Sequence, residues 1–335
     1  MRVLVRLPNW LGDVVMSAGF VRALHQRYPS AHLHFVTKAE LAPLVPLLLP
    51  AGMVATVHPF SKTEWRGPVG AWCFGHWLRR QHGPFAAYYT LPNSFSAALL
   101  GLGSGARQRV GYATDGRGLL LTHMHQLQPS QHRADQYLAL LPHPPAPRTG
   151  DVRLQALPLP TDAPAPPLLL NFNSEAQARR MPEAKAAELI RAMRQVAPGK
   201  RVGLLGSRRE QARNEDIVAM LPVTEREGVL NLAGTTDLPG LVALLGAAPL
   251  LFSTDSGPVH VANALGTPVV VCFGPGNEHN TGPYHSARAA VVRAPGPVPC
   301  GGCQRNQCRF GDAPPCLTHL DEAQLVATVQ RLLVG

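Results

Sequence analysis

Apolar residues along this 335-residue chain alternate between short runs typical of β-strands and longer stretches with helical spacing. The first forty residues illustrate the pattern: residues 2–7 form a predicted strand, 8–13 a turn, 14–28 a helix and 32–36 the next strand. Strands that alternate with helices are typical of a parallel sheet covered by helices on both faces. The pattern therefore predicts an α/β fold with a doubly wound sheet.

The alternation stops at a proline-rich segment and then starts again. Nine prolines fall within residues 142–167, and because proline at this density removes backbone donors and blocks helices, the segment is predicted to connect two domains. The predicted domains are residues 1–160 and 161–320, followed by an amphipathic helix within 321–335 that packs back across them. The other predicted strands are 54–57, 86–91, 168–172, 201–205, 250–253 and 269–273, and the other predicted helices are 40–49, 94–102, 133–141, 182–196, 208–221, 238–245 and 259–265.

Composition limits the class of protein. Hydrophobic residues make up 45% of the chain and charged residues 16%, which is typical of a folded globular protein. No apolar run approaches the roughly 20 residues that a membrane span needs, and the first residues lack the apolar core and cleavage site of a secretory signal. We therefore expect a cytoplasmic protein that can still rest on a membrane face.

The net charge of +10 is concentrated in the first half of the chain. Residues 1–165 contain 15 Lys and Arg against 7 Asp and Glu, a net charge of +8, whereas residues 166–335 contain 16 against 14, a net charge of +2. This asymmetry predicts an anionic partner for the first half. Nucleic acid is disfavoured as that partner, since the chain has no block of consecutive basic residues and only 6% aromatic residues.

The segment Asn9-Trp10-Leu11-Gly12-Asp13 lies where the first predicted helix opens. Gly12 permits a tight turn, and the backbone amides that follow can hold an anion or a sugar hydroxyl. Asp13 is a candidate functional carboxylate, and the alternative is that it only caps the helix. The segment is not a dinucleotide-binding motif, because G-x-G-x-x-G is absent from it.

A second candidate segment, residues 253–260, surrounds the start of another predicted helix. Pro258 suits the first helical turn, and the amides at such a helix start suit a diphosphate. An ordinary capped helix with a hydrogen-bonded histidine is the alternative. The candidate side chains and backbone positions of this segment are Asp255, Ser256, Gly257 and His260.

Two further features of the second half favour a nucleotide ligand. Arg179 and Arg180 precede the predicted helix 182–196 and could neutralise a departing diphosphate, with a solvated basic pair as the alternative. The Phe-Gly-Pro-Gly loop at residues 273–276 follows a predicted strand of the same domain. No Asp-x-Asp pair and no P-loop motif occur in the sequence, so the usual carboxylate pair for a divalent metal on a nucleotide sugar is missing.

Four of the six cysteines, Cys300, Cys303, Cys308 and Cys316, fall within 17 residues. A C-x2-C pair followed by two more thiolates can close a tetrahedral zinc site. The spacing fits no common zinc module, so reduced or partly paired thiols are the alternative.

Eight short motifs occur in order along nearly the whole chain: N-W-L-G-D at 9–13, L-P-N-S at 91–94, H-R-A-D-Q-Y-L at 132–138, R-R-M-P at 179–182, N-L-A-G-T-T at 231–236, T-D-S-G-P-V-H-V-A at 254–262, F-G-P-G at 273–276 and T-G-P-Y at 281–284. Together they resemble the motifs of glycosyltransferase family 9, the bacterial lipopolysaccharide heptosyltransferases. The H-R-A-D-Q-Y-L segment and the cysteine spacing resemble the heptosyltransferase II branch of that family.

The resemblance implies a GT-B fold, in which two Rossmann-like domains face a central cleft, with the acceptor in the first and the nucleotide sugar in the second. It implies inverting, metal-independent transfer of heptose from ADP-heptose, with no cofactor. The implied acceptor is an anionic lipid-linked saccharide of the lipopolysaccharide inner core, of the heptosyl-Kdo-lipid A type. The enzyme would then lie at the cytoplasmic face of the inner membrane, in peripheral contact with it.

The resemblance also implies roles for individual residues, with Asp13 as the general base. The chain departs from the family pattern at residues 171–174, where Asn-Phe-Asn-Ser replaces a small Pro-Gly-Ala turn, and at Met181, which replaces a tryptophan. The implied donor-binding residues are Ser174, Arg179, Arg180, Thr236 at the adenine pocket, Asp255, Ser256, Gly257, His260 and Gly274, and the implied acceptor-binding residues are Asn9, Gly12, Asn93 and Ser94.

Four alternatives remain open at this point. The chain could transfer a sugar from another nucleotide, or bind a nucleotide sugar without catalysis. The remaining two alternatives are a two-domain sugar epimerase and a nucleic-acid-binding protein whose binding is driven by the positive charge.

Overall fold

A computed structural model of the chain describes residues 1–147, 149–300 and 302–334, and these residues form two six-stranded sheets. The chain divides into two units, Met1–Gln155 and Ala156–Gly335, with one sheet in each. The strands are β1 (Arg2–Arg6), β2 (His32–Lys38), β3 (Ala55–Phe60), β4 (Ala87–Thr90), β5 (Gln108–Tyr112), β6 (His123–His125), β7 (Leu168–Asn171), β8 (Val202–Leu204), β9 (Val229–Asn231), β10 (Leu251–Thr254), β11 (Val269–Cys272) and β12 (Ala289–Val292).

The two sheets have the same topology. Their strand orders are β3-β2-β1-β4-β5-β6 and β9-β8-β7-β10-β11-β12, and every pairing in them is parallel. In such a sheet the strand order reverses beside the first strand, and ligands bind outside the carboxyl ends of the strands at that switch point. The switch points lie between β1 and β4 and between β7 and β10. The predicted α/β fold with doubly wound sheets is confirmed.

Helices connect the strands in both units. No helix in the described part of the chain is long and apolar enough to cross a bilayer. The α-helices are α1 (Leu11–Met16), α2 (Ala18–Arg27), α3 (Val45–Leu48), α4 (Gly67–His82), α5 (Phe95–Gly103), α6 (Arg133–Leu138), α7 (Glu183–Val196), α8 (Gln211–Ala219), α9 (Val223–Arg226), α10 (Leu238–Ala247), α11 (Gly257–Leu265), α12 (Glu278–Thr281), α13 (Pro315–Thr318) and α14 (Glu322–Val334), and short 3-10 helices span Ala39–Leu44, Arg117–Leu120, Thr149–Asp151, Gln177–Arg179 and Arg208–Glu210.

The core of the first unit includes the space between its sheet and helices α4 and α5. Phe74 and Leu78 of α4 are buried there with Tyr88 of β4. The two helices approach closely at Gly75, where a Cβ atom would lie 2.1 Å from the carbonyl oxygen of Leu100. This contact leaves no room for a side chain at position 75.

The core of the second unit lies under helices α7 and α14. Helix α14 packs against α7, β11 and β12, and it buries Leu325, Val329 and Leu332. Each of these side chains is less than 10% exposed, and together they cover one face of a largely apolar sheet. The final helix therefore stabilises the second unit; residue 335, which ends the predicted segment, lies outside the described residues.

The predicted connector 142–167 has ordered contacts along part of its length. Val152 and Leu154 are buried, and the backbone N–H of Gln155 donates to the carbonyl oxygen of Leu47 at 2.9 Å. These contacts attach the segment before the second unit to helix α3 of the first. Residue 148 of the predicted connector lies outside the described residues.

Several predicted elements differ in the structure. The predicted helix 14–28 is divided into α1 and α2 at Ser17, whose hydroxyl donates to the carbonyl oxygen of Val14 at 2.6 Å. The predicted helices 40–49 and 208–221 begin as 3-10 turns.

The 16-residue helix α4 and the strands β5, β6, β9 and β12 are missing from the predictions. In α4 the apolar spacing is interrupted by Gly70 and Gly75, and glycine is a poor helix former. Strands β6, β9 and β12 lie at sheet edges and are only partly buried, so that their sequences lack a continuous apolar run.

Candidate active-site residues

Asp13 lies at the switch point of the first sheet, after the carboxyl end of β1. It is the third residue of α1, whose N-cap is Trp10, so the alternative that Asp13 caps the helix is wrong. The side chain is half-buried. A carboxylate in the first turn of a helix is stabilised by the helix dipole, and this position favours the ionised form that a base requires.

The hydroxyl of Tyr137 donates to Oδ1 of Asp13 at 3.0 Å. Tyr137 belongs to α6, which packs against α1 and α2, and its side chain is 3% exposed. Burial raises the pKa of Tyr137 well above its ordinary value, the Asp13 charge raises it further, and the Arg133 charge acts in the opposite direction. The hydroxyl therefore stays protonated near neutral pH and remains a hydrogen-bond donor to the carboxylate.

Sequence reasoning missed Tyr137 as a functional residue. It is part of the H-R-A-D-Q-Y-L motif, but 124 residues separate it from Asp13. No local sequence pattern links two residues that far apart, so the motif alone does not identify Asp13 as the partner of Tyr137.

Asn9 and Gly12 lie in the same loop as Asp13. The Oδ1 atom of Asn9 accepts a hydrogen bond from Nη2 of Arg6 at 2.6 Å. Arg6 itself is 4% exposed, and burial lowers its pKa to about 10. Gly12 is buried within the first turn of α1. The Arg6 contact therefore fixes the side chain of Asn9 at the start of the loop.

Asn93 and Ser94 follow β4, the neighbour of β1. Because Arg6 pairs with Thr90 at the ends of these strands, the two loops begin side by side. Oδ1 of Asn93 accepts from Nη2 of the fully buried Arg117 at 2.9 Å. Ser94 is the N-cap of α5, and its hydroxyl accepts a hydrogen bond from the backbone N–H of Ala97 at 3.3 Å. The structure thus places all four predicted acceptor residues at the carboxyl edge of one switch point.

In the second unit, Asp255 forms an ion pair with Arg179. Asp255 directly follows β10, Arg179 ends the 3-10 helix after β7, and Nη1 of Arg179 lies 3.2 Å from Oδ2 of Asp255. The Asp255 side chain is 6% exposed and that of Arg179 is 36% exposed. The buried carboxylate therefore holds a guanidinium group that still reaches solvent and can meet an anion.

The loop after β11 passes very close to this ion pair. A Cβ atom at Gly276 would lie 2.6 Å from Oδ2 of Asp255, so only glycine fits at this position without displacing the carboxylate. Gly274 is also tightly packed, since a Cβ atom there would lie 3.2 Å from Sγ of Cys316. Arg293 donates to the carbonyl oxygens of both glycines, at 3.1 Å for Gly274 and 2.7 Å for Gly276. The loop is therefore held as a rigid wall beside Asp255.

The side chain of Arg180 supports the loop after β7 by donating to a backbone carbonyl of that loop. Its Nε donates to the carbonyl oxygen of Ser174 at 2.7 Å, and the hydroxyl of Ser174 donates to the backbone carbonyl of Asp255 at 3.3 Å. Ser174, Arg179, Arg180 and Asp255 therefore form one connected group at the second switch point, and their assignment to a donor site stays a prediction. The buried Met181 follows this group and fills core space.

Helix α11 begins beside the same group. Ser256 is its N-cap, with an extended backbone, and Pro258 lies in its first turn as predicted. The hydroxyl of Ser256 accepts from Nδ2 of Asn171 at 2.8 Å, so the unusual residues 171–174 help to fix the helix start. Gly257 is the first helical residue, and His260 is 7% exposed. The positive end of the helix dipole lies at this helix start.

Thr236 lies farther along the sheet. It is exposed and precedes Asp237, the N-cap of α10, and it follows β9 at the sheet edge. Two strands, β8 and β7, separate β9 from β10. Its assignment to an adenine pocket stays a prediction.

The six cysteines are free in the described residues, so no disulfide links the predicted cluster there. Cys316 is buried, and burial together with the nearby Cys300 and Cys308 raises the pKa of its thiol to about 11. Burial also raises the pKa of Cys272. The thiols of Cys272 and Cys316 are therefore protonated and unreactive near neutral pH.

Comparisons with known proteins agree with the fold. The model of glycosyltransferase family 9 (heptosyltransferase) matches residues 72–313. Lipopolysaccharide heptosyltransferase 2 of Escherichia coli strain K12 is 29% identical over 320 residues, and lipooligosaccharide heptosyltransferase 2 of Haemophilus ducreyi strain 35000HP is 28% identical over 319 residues; each match covers 88% of this chain and 88% of the relative.

A solved structure extends the likeness to three dimensions. The structure of E. coli ADP-heptose lipopolysaccharide heptosyltransferase II superimposes with a TM-score of 0.78 and 26% sequence identity, over 100% of this chain and 99% of that one. Both sheets of the chain therefore belong to a fold already seen in heptosyltransferases.

Proposed function

The chain belongs to glycosyltransferase family 9, and from this we infer that it transfers heptose from ADP-heptose to the inner core of lipopolysaccharide. The observation that carries the proposal is the match to heptosyltransferase 2 relatives over 88% of both chains. The sites described above are of the kinds that the reaction needs: a carboxylate in one unit and a cationic group beside a helix start in the other.

We propose Asp13 as the general base. An acceptor hydroxyl attacks the anomeric carbon of the heptose, a new carbon–oxygen bond forms, and the bond from that carbon to the ADP oxygen breaks with inversion. The hydroxyl proton passes to the carboxylate of Asp13. Tyr137 is a positioning residue, because its hydroxyl donates to Oδ1 and so orients the carboxylate of Asp13.

We propose that Arg179 and the start of α11 bind the diphosphate of ADP. Negative charge builds on the departing ADP, and a fixed guanidinium group and helix dipole stabilise that charge without reorganising. This arrangement takes the place of a divalent metal. Asp255 acts through Arg179, since its buried Oδ2 is within 3.2 Å of the guanidinium group. Thr236, His260 and Gly274 belong to the same proposed donor site.

We propose that the first unit binds the acceptor through Asn9, Gly12, Asn93 and Ser94. The net charge of +8 on residues 1–165 suits the carboxylates and phosphates of a lipid-linked saccharide. Such an acceptor is anchored in a bilayer, so we propose peripheral contact between the protein and the inner membrane. We propose that the acceptor is of the heptosyl-Kdo-lipid A type.

One experiment tests this function. The purified chain is incubated with ADP-heptose, ADP-glucose or a UDP-sugar, together with a heptosyl-Kdo-lipid A acceptor, while ADP or UDP release and the product mass are followed. We expect release and a heptose mass increment only with ADP-heptose, unchanged by a chelator, and an inverted anomeric centre by NMR. Binding of ADP-heptose without any product would support the binding protein, and turnover of another sugar alone would support a different transferase.

A further inference from the structure

Three histidines converge in the first unit, on elements other than those that carry its proposed acceptor residues. His34 lies in β2, His58 in β3, and His82 is the last residue of α4. The register pairs His34 with Leu4, the middle residue of β1, and pairs His58 with Val36 of β2. None of the three histidines belongs to the loops that carry the proposed acceptor residues, and the proposed reaction does not use them.

The ring nitrogens of the three histidines are close enough to share one ion. One nitrogen from each ring lies within 4.8 Å of the others, and no other such group of His, Cys, Asp or Glu occurs in the described ranges. Nδ1 of His34 and Nε2 of His58 are 2.9 Å apart. The ring of His82 lies 4.8 Å, between centroids, from each of the other two rings.

The His34 ring has a polar atom that the protein leaves unsatisfied. His34 is 1% exposed and His58 is 6% exposed, and Nε2 of His34 is buried with no hydrogen-bond partner. A buried imidazole nitrogen without a partner costs free energy. The hydrogen-bond network of the trio is therefore incomplete, which is uncommon for buried polar groups in native structures.

The three rings are in the chemical form that binds metal. Burial lowers the pKa of His34 to about 3 and that of His58 to about 4, and it also lowers the pKa of His82. All three imidazoles are therefore neutral near pH 7, and each neutral ring has one unprotonated nitrogen, which protonated histidine lacks. A bound ion would replace the hydrogen bond between His34 and His58. The Arg2 charge contributes to the lowering at His34 and His82, and it will weaken the binding of a cation.

We propose that His34, His58 and His82 bind one divalent transition-metal ion, with Zn²⁺ as the best fit. Three imidazoles and one water complete a tetrahedral zinc site, with Zn–N distances of about 2.0–2.1 Å and nitrogens about 3.4 Å apart. The His34 and His58 nitrogens need to separate slightly, and His82, half-buried at a helix end, needs to move inward. The ion attaches the end of α4 to β2 and β3.

Cobalt binding to the full chain without a polyhistidine tag tests the site. The parent protein for this test carries the substitutions Cys303→Ser and Cys308→Ser, because the cysteine cluster would compete with the histidines for the metal ion. We expect one Co²⁺ per chain, with visible absorption bands but no thiolate charge-transfer band. His82→Ala should abolish this binding. His76→Ala, an exposed histidine on the same helix, should bind Co²⁺ like the parent.

Thermal unfolding supplies a second readout that needs no activity assay. Zn²⁺ should raise the Tm of the parent and of His76→Ala but leave that of His82→Ala unchanged. His58→Gln, which keeps a polar side chain of similar size, should behave like His82→Ala and guards against a folding defect in one variant. The absence of Co²⁺ binding in the parent, or equal binding by His82→Ala and His76→Ala, overturns the proposal.

Discussion

In the first unit, the loop after the first strand leads to a carboxylate, whereas in the second unit the loop after the first strand leads to two arginines. Asp13 and Arg179 each follow the first strand of a sheet, and the two sheets have the same strand order. Their supporting partners also differ: Tyr137 gives Asp13 a neutral hydroxyl, and Asp255 gives Arg179 a buried negative charge. The topology sets where a ligand binds, and the side chains at that edge set the chemistry.

The two kinds of support suit different tasks. A base must accept a proton, and the Tyr137 hydroxyl, which stays protonated, orients the carboxylate as a hydrogen-bond donor. A phosphate-binding guanidinium group must stay charged and oriented, and a buried carboxylate provides both. We therefore expect changes in the first unit to affect the rate of the chemical step, and changes in the second unit to affect donor affinity.

The largest effect is expected from Asp13→Asn. The amide of asparagine cannot take the proton from the hydroxyl of the acceptor saccharide. The kcat should therefore fall by roughly 10²–10⁴-fold, the usual contribution of a general base. The Kd for ADP-heptose, measured by calorimetry, should not change. Glu64→Gln, an exposed carboxylate of the same unit, is the matched control and should keep full activity. Near-normal kcat in Asp13→Asn would remove Asp13 from the mechanism.

Arg179→Ala should mainly weaken donor binding. A hydrogen bond to a charged group is worth about 1.5–3 kcal/mol, so the Kd for ADP-heptose should rise by roughly 10–100-fold, and Arg179→Lys should recover part of the loss. The control is Arg331→Ala, which removes an exposed arginine of α14 in the same unit. A change in kcat alone, with the donor Kd intact, would contradict the division of tasks between the units.

Gly276→Ala tests the wall beside Asp255 without removing any polar group. The new Cβ would lie 2.6 Å from Oδ2 of Asp255, so the carboxylate and its arginine must shift. Overpacking typically costs about 1–3 kcal/mol, and we expect donor affinity to fall about tenfold. Gly246→Ala in helix α10 is the control, since its Cβ would meet only Leu265 at an ordinary 3.7 Å. Equal donor affinities for the two variants would show that the Asp255 geometry is unimportant.

The sequence predicts the candidate residues that follow the carboxyl ends of the strands better than it predicts the partners of those residues. Asp13, Arg179 and Asp255 lie in or beside glycine- and proline-containing turns that follow apolar strands, and this local pattern is visible in one dimension. Tyr137 and the three converging histidines depend on tertiary contacts between residues far apart in the chain. No period of two or 3.6 residues encodes such a contact.

The fold shows the same division between local and tertiary information. Strands β7, β10 and β11 of the second sheet are fully buried and mainly apolar, and they are predicted nearly to their ends. The partly buried edge strands β6, β9 and β12 are not predicted, because their backbone pairing, rather than apolar side chains, holds them in place. The break between α1 and α2 at Ser17 lies within a stretch that the apolar spacing predicts to be one continuous helix.

The smallest effect, and the sharpest test of the comparison, is expected from Tyr137→Phe. Water can replace the lost donor to Asp13, so the loss is about 1 kcal/mol and kcat should fall roughly fivefold. A hydrogen bond to the ionised carboxylate favours that form. Its removal should therefore shift the acidic limb of the kcat profile to higher pH, with the KM for ADP-heptose unchanged.

Tyr112→Phe separates this role from a structural one. The hydroxyl of Tyr112 donates to the carbonyl oxygen of Gln136, so this variant removes a buried hydroxyl that holds the same helix without touching Asp13. Both variants should lower the Tm by a similar amount, but only Tyr137→Phe should move the acidic limb. If the two profiles coincide, Tyr137 contributes to the packing of α6 alone, and the neutral support of the base is not part of the reaction.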